Sequence, residues 1–268
     1  MFTKEQLKTQ LTNLGVPTNV PVIVHTSLKA VGETEGRAEG LLEVLIEHCT
    51  KDGGLLCIPT HTWSYAREEG RIAFDLTKKE SCVGALTVVA LNHPKAVRSM
   101  HPTHSMVVFG DEEKVKEFVK GEENFNTPTA PDSCYGKIYK QNGYVLLLGV
   151  GHERNTFIHC VDEMLCVPNR FADETKTVKV RLNSGEVITR EMYTHFAKGI
   201  GTSVSAKFPK FSKAFEFTGA TKEGKIGNAT AILCSAVKIK ETLETIRNRT
   251  DGIELLDDTV EIKEEYYK

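Results

Sequence analysis

Residues 144–164 read YVLLLGVGHERNTFIHCVDEM, an apolar run that breaks at glycine and passes through a polar stretch into helical spacing. The simplest reading is a strand followed by a helix capped by Asn155. In that helix Thr156, His159 and Asp162 stack at successive i, i+3 steps, and Glu163 lies four residues beyond His159 on the same face. A carboxylate beside a histidine orients the imidazole and stabilises its charged form, so the spacing suits a general base. Alone, the pattern is one that solvated helix faces also produce.

Working outward, the runs VPVIVHTS (20–27), GGLLCIPT (53–60) and MVVFG (106–110) repeat the apolar pattern of 144–150. They alternate with helix-like segments such as EGLLEVLIEHCT (39–50) and DEEKVKEFVK (111–120), the rhythm of an α/β protein with a mostly parallel sheet. Runs apolar on both alternating sides read as central strands covered by helices on both faces, an α/β/α sandwich. In such sheets the ligand crevice lies beyond the carboxyl ends of the strands. Those ends carry HTS (25–27), PTHTW (59–63) and GVGHERNT (149–156). Alternation around NSG in TVKVRLNSGEVITR (177–190) predicts an antiparallel β-hairpin beside or outside the parallel core. The stretch 224–248 reads as a loop leading into a closing helix, and 260–268 as a charged tail. No linker or internal repeat divides residues 1–268, which read as one domain.

Composition narrows the function classes. The 268 residues are 40% hydrophobic and 26% charged, ordinary for a soluble globular protein. A net charge of −2, from 34 basic and 36 acidic residues without like-sign blocks, favours neither nucleic acid nor an anionic membrane as partner. No segment approaches the roughly 20 apolar residues of a membrane span. At the N-terminus Leu7, Leu11 and Leu14 form a helical stripe rather than a signal peptide. Seven cysteines without short paired spacings fit reduced thiols, and so a cytoplasmic location. A homodimer is the prior expectation for assembly.

Several chemistries are disfavoured by their motifs. Neither the phosphate-cradling G-x-x-x-x-G-K-[ST] nor a G-x-G-x-x-G after a strand is present, and no G-x-S-x-G presents a serine nucleophile. His25, His61, His101, His104 and His159 at strand ends and turns raise a metal-dependent hydrolase as an alternative. The nearest ligand pair, HPTH (101–104), contains a proline that prevents the regular helix of H-E-x-x-H, so no metal is expected. Trp63 reads as packing.

With HTSLKAVG (25–32), RSMHPTHSMVVFG (98–110) and residues 144–170 together, the chain resembles the aminoglycoside 3-N-acetyltransferase family of acetyl-CoA-dependent enzymes. Three motifs in order, over nearly the whole length, make that likeness specific. It implies an α/β sandwich peculiar to the family and transfer of acetyl from acetyl-CoA to an amine, with an aminoglycoside as the namesake acceptor. The family's catalytic histidine falls on His159 and its acidic residue on Asp162, where the family commonly has glutamate; neighbouring Glu163 is the substitute. The first motif implies that His25, Thr26, Ser27, Leu28, Lys29, Val31 and Gly32 hold the pantetheine and pyrophosphate of CoA. In the second, Ser99, His101, Thr103 and Ser105 are further expected cofactor contacts. Chemically, His159 would deprotonate the amine, and Thr156 with the N–H groups at the helix start would hold the oxyanion. No cysteine is set as an acetyl carrier, so transfer should be direct. A polycationic acceptor calls for carboxylates, and Glu68, Glu69 and Asp75 are the further candidates. A CoA-binding relative without catalysis is the rival reading.

Overall fold

The computed structural model describes residues 1–268. Ten strands follow the chain as β1 (Pro21–Thr26), β2 (Leu55–Pro59), β3 (Ile72–Asp75), β4 (Val97–Arg98), β5 (Met106–Phe109), β6 (Tyr144–Leu148), β7 (Lys176–Arg181), β8 (Val187–Met192), β9 (Thr221–Ile226) and β10 (Ala229–Ser235). The α-helices are α1 (Lys4–Leu14), α2 (Leu28–Val31), α3 (Arg37–Thr50), α4 (Ala85–Asn92), α5 (Glu112–Val119), α6 (Cys134–Lys140), α7 (Phe157–Met164), α8 (Ser212–Phe217) and α9 (Ala236–Arg249). No helix is long and apolar enough to cross a membrane, and all seven cysteines are unpaired.

Seven strands form one sheet in the order β4-β5-β2-β1-β6-β10-β9. Their two-sided apolar sequences explain the layering, because successive side chains point to opposite faces. Ile23, Cys57, Val145 and Leu147 enter one core with residues of α5, α6, α7, α8 and α9. Val22, Val24, Leu56, Ile58, Leu146 and Leu148 enter the other, against the apolar faces of α1, α3 and α4. The predicted α/β/α layering and the antiparallel hairpin β7–β8 are both present; β3 joins that hairpin as a separate three-stranded sheet.

Strand direction departs from the expectation in a defined way. Within the seven-stranded sheet parallel pairing is confined to β2-β1-β6, while β5 runs antiparallel to β2 and β10 antiparallel to β6; in the smaller sheet β3 runs parallel to β7. The stretch read as a loop before the closing helix is in fact the hairpin β9–β10. Gly227-Asn228 makes its two-residue turn between the paired Ile226 and Ala229, with Gly227 at φ 59°. The charged tail also packs down: Tyr267 is buried and Arg249 donates to the carbonyls of Glu265 and Lys268.

At the end of β6 the chain turns sharply at Gly149, with φ 72°. A Cβ there would meet the Cβ of Ala30 at 2.5 Å and that of Ala229 at 3.3 Å. Left-handed backbone and close approach both demand glycine. Gly149→Ala is therefore expected to destabilise the protein by about 1–3 kcal/mol. An unchanged thermal midpoint would contradict this.

Candidate active site

The carboxyl ends of β1, β2 and β6 meet on one side of the sheet. Ser27 N–H donates to the Leu148 carbonyl at 2.9 Å, tying the first motif to the end of β6. Thr60 and Thr62 N–H donate to Ser105 and Thr103 carbonyls at 2.8 and 2.9 Å, tying the end of β2 to the 99–105 loop. His25 Nε2 and Thr26 Oγ1 at the end of β1, and Asn155 Oδ1 and His159 Nδ1 after β6, are buried without a hydrogen-bond partner. Buried polar atoms are normally paired, so these are free to bond polar groups of a ligand. Burial, helped by the nearby Arg154 charge, lowers the His25 pKa to about 4.

Within the first motif Ser27 caps α2, its Oγ accepting from Ala30 N–H at 3.4 Å. Val31 is buried in the core, whereas Lys29 is exposed and Leu28 half-buried. Gly32 has φ 85°, and a Cβ there would lie 2.6 Å from Asn228 Nδ2. The orphaned atoms of His25 and Thr26 leave this turn with polar groups unbonded within the chain.

The second motif is a scaffold. His101 Nδ1 accepts from the N–H groups of Thr103 and His104 at 3.2 and 2.9 Å, and its Nε2 donates to the Thr127 carbonyl at 3.0 Å. Burial lowers its pKa to about 4, so it is a neutral ring tying the 101–104 turn to Thr127. Ser99 Oγ accepts from Met106 N–H at 3.1 Å and donates to Glu122 at 3.4 Å. Thr103 Oγ1 meets His104 Nδ1 at 2.9 Å, and Ser105 Oγ meets Thr60 Oγ1 at 2.9 Å and Arg98 Nε at 3.1 Å. The polar atoms expected to contact the cofactor thus bond within the chain. His61 Nε2 is likewise 2.5 Å from the Tyr135 hydroxyl. No three His, Cys, Asp or Glu side chains are placed to hold a metal ion.

On α7 the helix starts at Phe157 with Thr156 as its N-cap, one residue later than the predicted Asn155 cap. His159, in the first turn, is 7% exposed. Its ring lies between the edge of Phe208, at 4.7 Å, and a second imidazole, His195, stacked at 3.7 Å and 5°. Burial, then His195, Arg170 and His61, hold its pKa well below the ordinary histidine value, so the ring is neutral at pH 7.

Neither neighbouring carboxylate is bonded to His159. Asp162 Oδ2 accepts from Arg170 Nε at 3.1 Å, and the same guanidinium binds both oxygens of Glu254 at 3.0 Å. Glu163 Oε1 accepts the N–H and hydroxyl of Thr129 at 2.9 and 2.6 Å and lies 3.7 Å from His195 Nε2. Burial pushes the Glu163 carboxyl up, yet His195, Thr127 and Thr129 outweigh it and hold it below the usual value. His195 was not anticipated from the sequence; nothing near it in the chain marks it, and only tertiary structure brings it here.

The other acidic candidates are occupied or open to solvent. Asp75 is buried against Arg181 at 3.2 Å and Thr77, joining β3 to β7. Glu68 pairs with Arg71 at 2.7 Å, and Glu69 is exposed. Trp63 carries Arg67 over its ring at 4.7 Å.

The family model for aminoglycoside 3-N-acetyltransferase matches residues 23–246. Aminoglycoside N(3)-acetyltransferase VII of Streptomyces paromomycinus is 27% identical over 87% of both chains. Among solved structures, a histidine-to-alanine variant of AAC(3)-IVa in complex with a gentamicin superposes with a TM-score of 0.77 at 24% identity, covering 92% of this chain and 89% of that one. AAC-IIIb in binary complex with CoASH superposes with a TM-score of 0.78 at 20% identity, covering 94% and 98%. With the family model matching from β1 into α9, the chain belongs to the aminoglycoside 3-N-acetyltransferase family, whose members are acetyl-CoA-dependent acyltransferases.

Proposed function

We propose that this protein transfers acetyl from acetyl-CoA to a primary amine of an aminoglycoside by direct attack, with His159 as general base. One observation carries the reading: His159 is a buried, neutral imidazole with an unpartnered Nδ1, on the helix that follows β6, whose neighbouring strand β1 ends in the unpartnered His25 Nε2 and Thr26 Oγ1. CoASH and gentamicin are the ligands of the two structural relatives and are assigned here by family membership.

The chemistry follows from the amine. It is protonated near neutrality and needs a free lone pair to attack the thioester carbonyl. The ammonium proton is lost to solvent, which frees the lone pair, and His159 takes a second proton from the attacking nitrogen as the C–N bond forms. Collapse of the tetrahedral intermediate breaks the C–S bond, and the proton leaves with the CoA thiol. Thr156, at the start of α7 and beside the base, is assigned to the developing oxyanion. His25 to Gly32 are assigned to the pantetheine and pyrophosphate, with His25 Nε2 and Thr26 Oγ1 as polar anchors. Asp162 is assigned to holding α7 against Arg170, and Glu163 to the charge that supports the base.

Thiol release from acetyl-CoA tests this with gentamicin, apramycin and simple polyamines as acceptors. The expected result is aminoglycoside-dependent release, with the mass of one acetyl group added to the acceptor. Release with polyamines alone would reassign the acceptor. Protein that binds CoA yet releases no thiol with any amine would overturn the reading in favour of a binding relative without catalysis.

A further inference from the structure

His195 is held by a backbone clamp. Leaving β8, the chain forms an antiparallel bridge with Phe171: Ala172 N–H donates to Thr194 O and Phe196 N–H to Arg170 O, both at 3.1 Å. Tyr193 N–H donates to Asn126 O at 2.8 Å, fastening the same segment to the turn that carries Thr127 and Thr129. The clamp places the imidazole between two rings, Phe171 at 5.7 Å and 23° and His159 at 3.7 Å and 5°. Its Nε2 faces Thr129 Oγ1 at 3.4 Å and Glu163 Oε1 at 3.7 Å. Backbone, stack and carboxylate together determine the plane of this ring.

Resting on the assignment of His159 as base, we propose that His195 is a positioning residue for it. The His195 ring fixes the plane of His159 and links it to the Glu163 carboxylate, so that the stacked pair carries a single proton, held on His159 during transfer. The direct carboxylate–imidazole bond expected from i, i+3 spacing is thereby replaced by an arrangement acting through a second ring.

The electrostatics of the neighbourhood agree. His159 on α7 faces His195, His61, His104 and Arg170; His195 faces Glu163, His61, His101 and His104. Of all these groups only Glu163 is negative. Two positive rings at 3.7 Å repel strongly in a buried site, so the second proton is excluded and the pair titrates as a unit. A neutral ring face beside an imidazolium is favourable, and the Glu163 charge favours the first proton. Removing the Glu163 charge makes the pair a weaker base, whereas removing His195 breaks the link to that charge and also removes the repulsion that holds His159 down.

The test uses the full-length protein as wild type, Glu163→Gln, His195→Phe and His159→Gln. Phenylalanine keeps the stack between Phe171 and His159 but has no nitrogen to face Glu163. NMR titration of histidines labelled at Cε1 reads the pair without any acceptor, and kcat and KM against pH are measured with gentamicin. One proton per pair is expected in wild type, with its midpoint lowered by about one unit in Glu163→Gln, while in His195→Phe the lone His159 titrates no lower than the wild-type pair. Turnover should fall about 10-fold in both, with the acid limb moving to lower pH in Glu163→Gln only and KM for acetyl-CoA within about 2-fold of wild type in both. Two independent protons on the pair, a midpoint unmoved in Glu163→Gln, or full turnover in His195→Phe would overturn the inference. His159→Gln separates the two readings: inactive protein with an unmoved midpoint in Glu163→Gln sinks the role of His195 alone, whereas full turnover in His159→Gln sinks the base assignment and this inference with it.

Discussion

Replacing His159 by alanine is expected to lower turnover by about 100-fold or more while CoA affinity stays nearly unchanged. The size follows from what the ring supplies and what it does not. Its task is proton removal from the attacking amine, a contribution made in the transition state, so the loss should appear in kcat and kcat/KM rather than in binding of the thioester. CoA is assigned to the turn from His25 to Gly32, which belongs to a different element, so removal of His159 leaves that turn intact.

The pH dependence supplies a second readout. Burial of His159 holds its pKa well below the ordinary histidine value. A base must be unprotonated to act, so the acid limb of kcat/KM should lie below about pH 6.5 and the enzyme should be fully competent at neutrality. Alanine also leaves a gap between Phe208 and His195, whose rings flank His159. Glutamine, which occupies more of that space without serving as a base, should be as inactive as alanine but closer to wild type in thermal stability. A variant with full turnover would end the assignment of His159.

What local pattern encodes, and what it leaves to tertiary structure, differs from element to element. β1, β2 and β6 were legible because each is apolar on both faces, and their ends pointed to the segments that carry His25, Thr26 and His159. Direction was less legible: MVVF reads the same parallel or antiparallel, and its orientation is set by pairing with Pro59 and its neighbours on β2. The hairpin β9–β10 carries a turn signal in Gly227-Asn228, masked by ATAILCS running straight into the residues of α9. On a helix of 3.6 residues per turn, Asp162 and Glu163 lie about 60° and 40° to either side of His159. Spacing alone therefore does not choose between them. Arg170 and Thr129, each far from obvious in the sequence, take one carboxylate each. His195 is placed by a backbone bridge to Phe171, a contact between distant residues with no local signature.

The second large effect is on stability, and it falls on Arg170. This side chain is 5% exposed and holds Asp162 on α7 and Glu254 beyond α9 with one guanidinium, which also donates to the carbonyls of Pro168 and Asn169. Truncation strands a buried carboxylate, a change that costs about 3–5 kcal/mol when the partner of a buried ion pair is removed. Arg170→Ala should accordingly lower the thermal midpoint by roughly 6–12 °C. Glu254 contributes less of that, since its side chain is 29% exposed and reaches water. Even with Arg170 present, burial pushes the Asp162 carboxyl up to about 6. Without the guanidinium its folded pKa must rise further above the value in the unfolded chain. A carboxyl raised in this way binds its proton more tightly when folded, so folding is favoured at low pH and disfavoured as pH rises through the folded pKa. The deficit of Arg170→Ala relative to wild type should therefore be largest above the further-raised pKa of Asp162 in the variant and shrink as pH falls toward about 6, below which the carboxyl is protonated in both folded proteins. Adding Asp162→Asn to Arg170→Ala removes the stranded charge and should recover part of the loss at neutral pH, so that the two substitutions are less harmful together than their sum. Thermal unfolding of the four proteins at about pH 7.5 and about pH 5 measures this cycle. Additive losses, or a deficit that grows in acid, would show that Arg170 stabilises the fold through its carbonyl contacts rather than through the Asp162 charge.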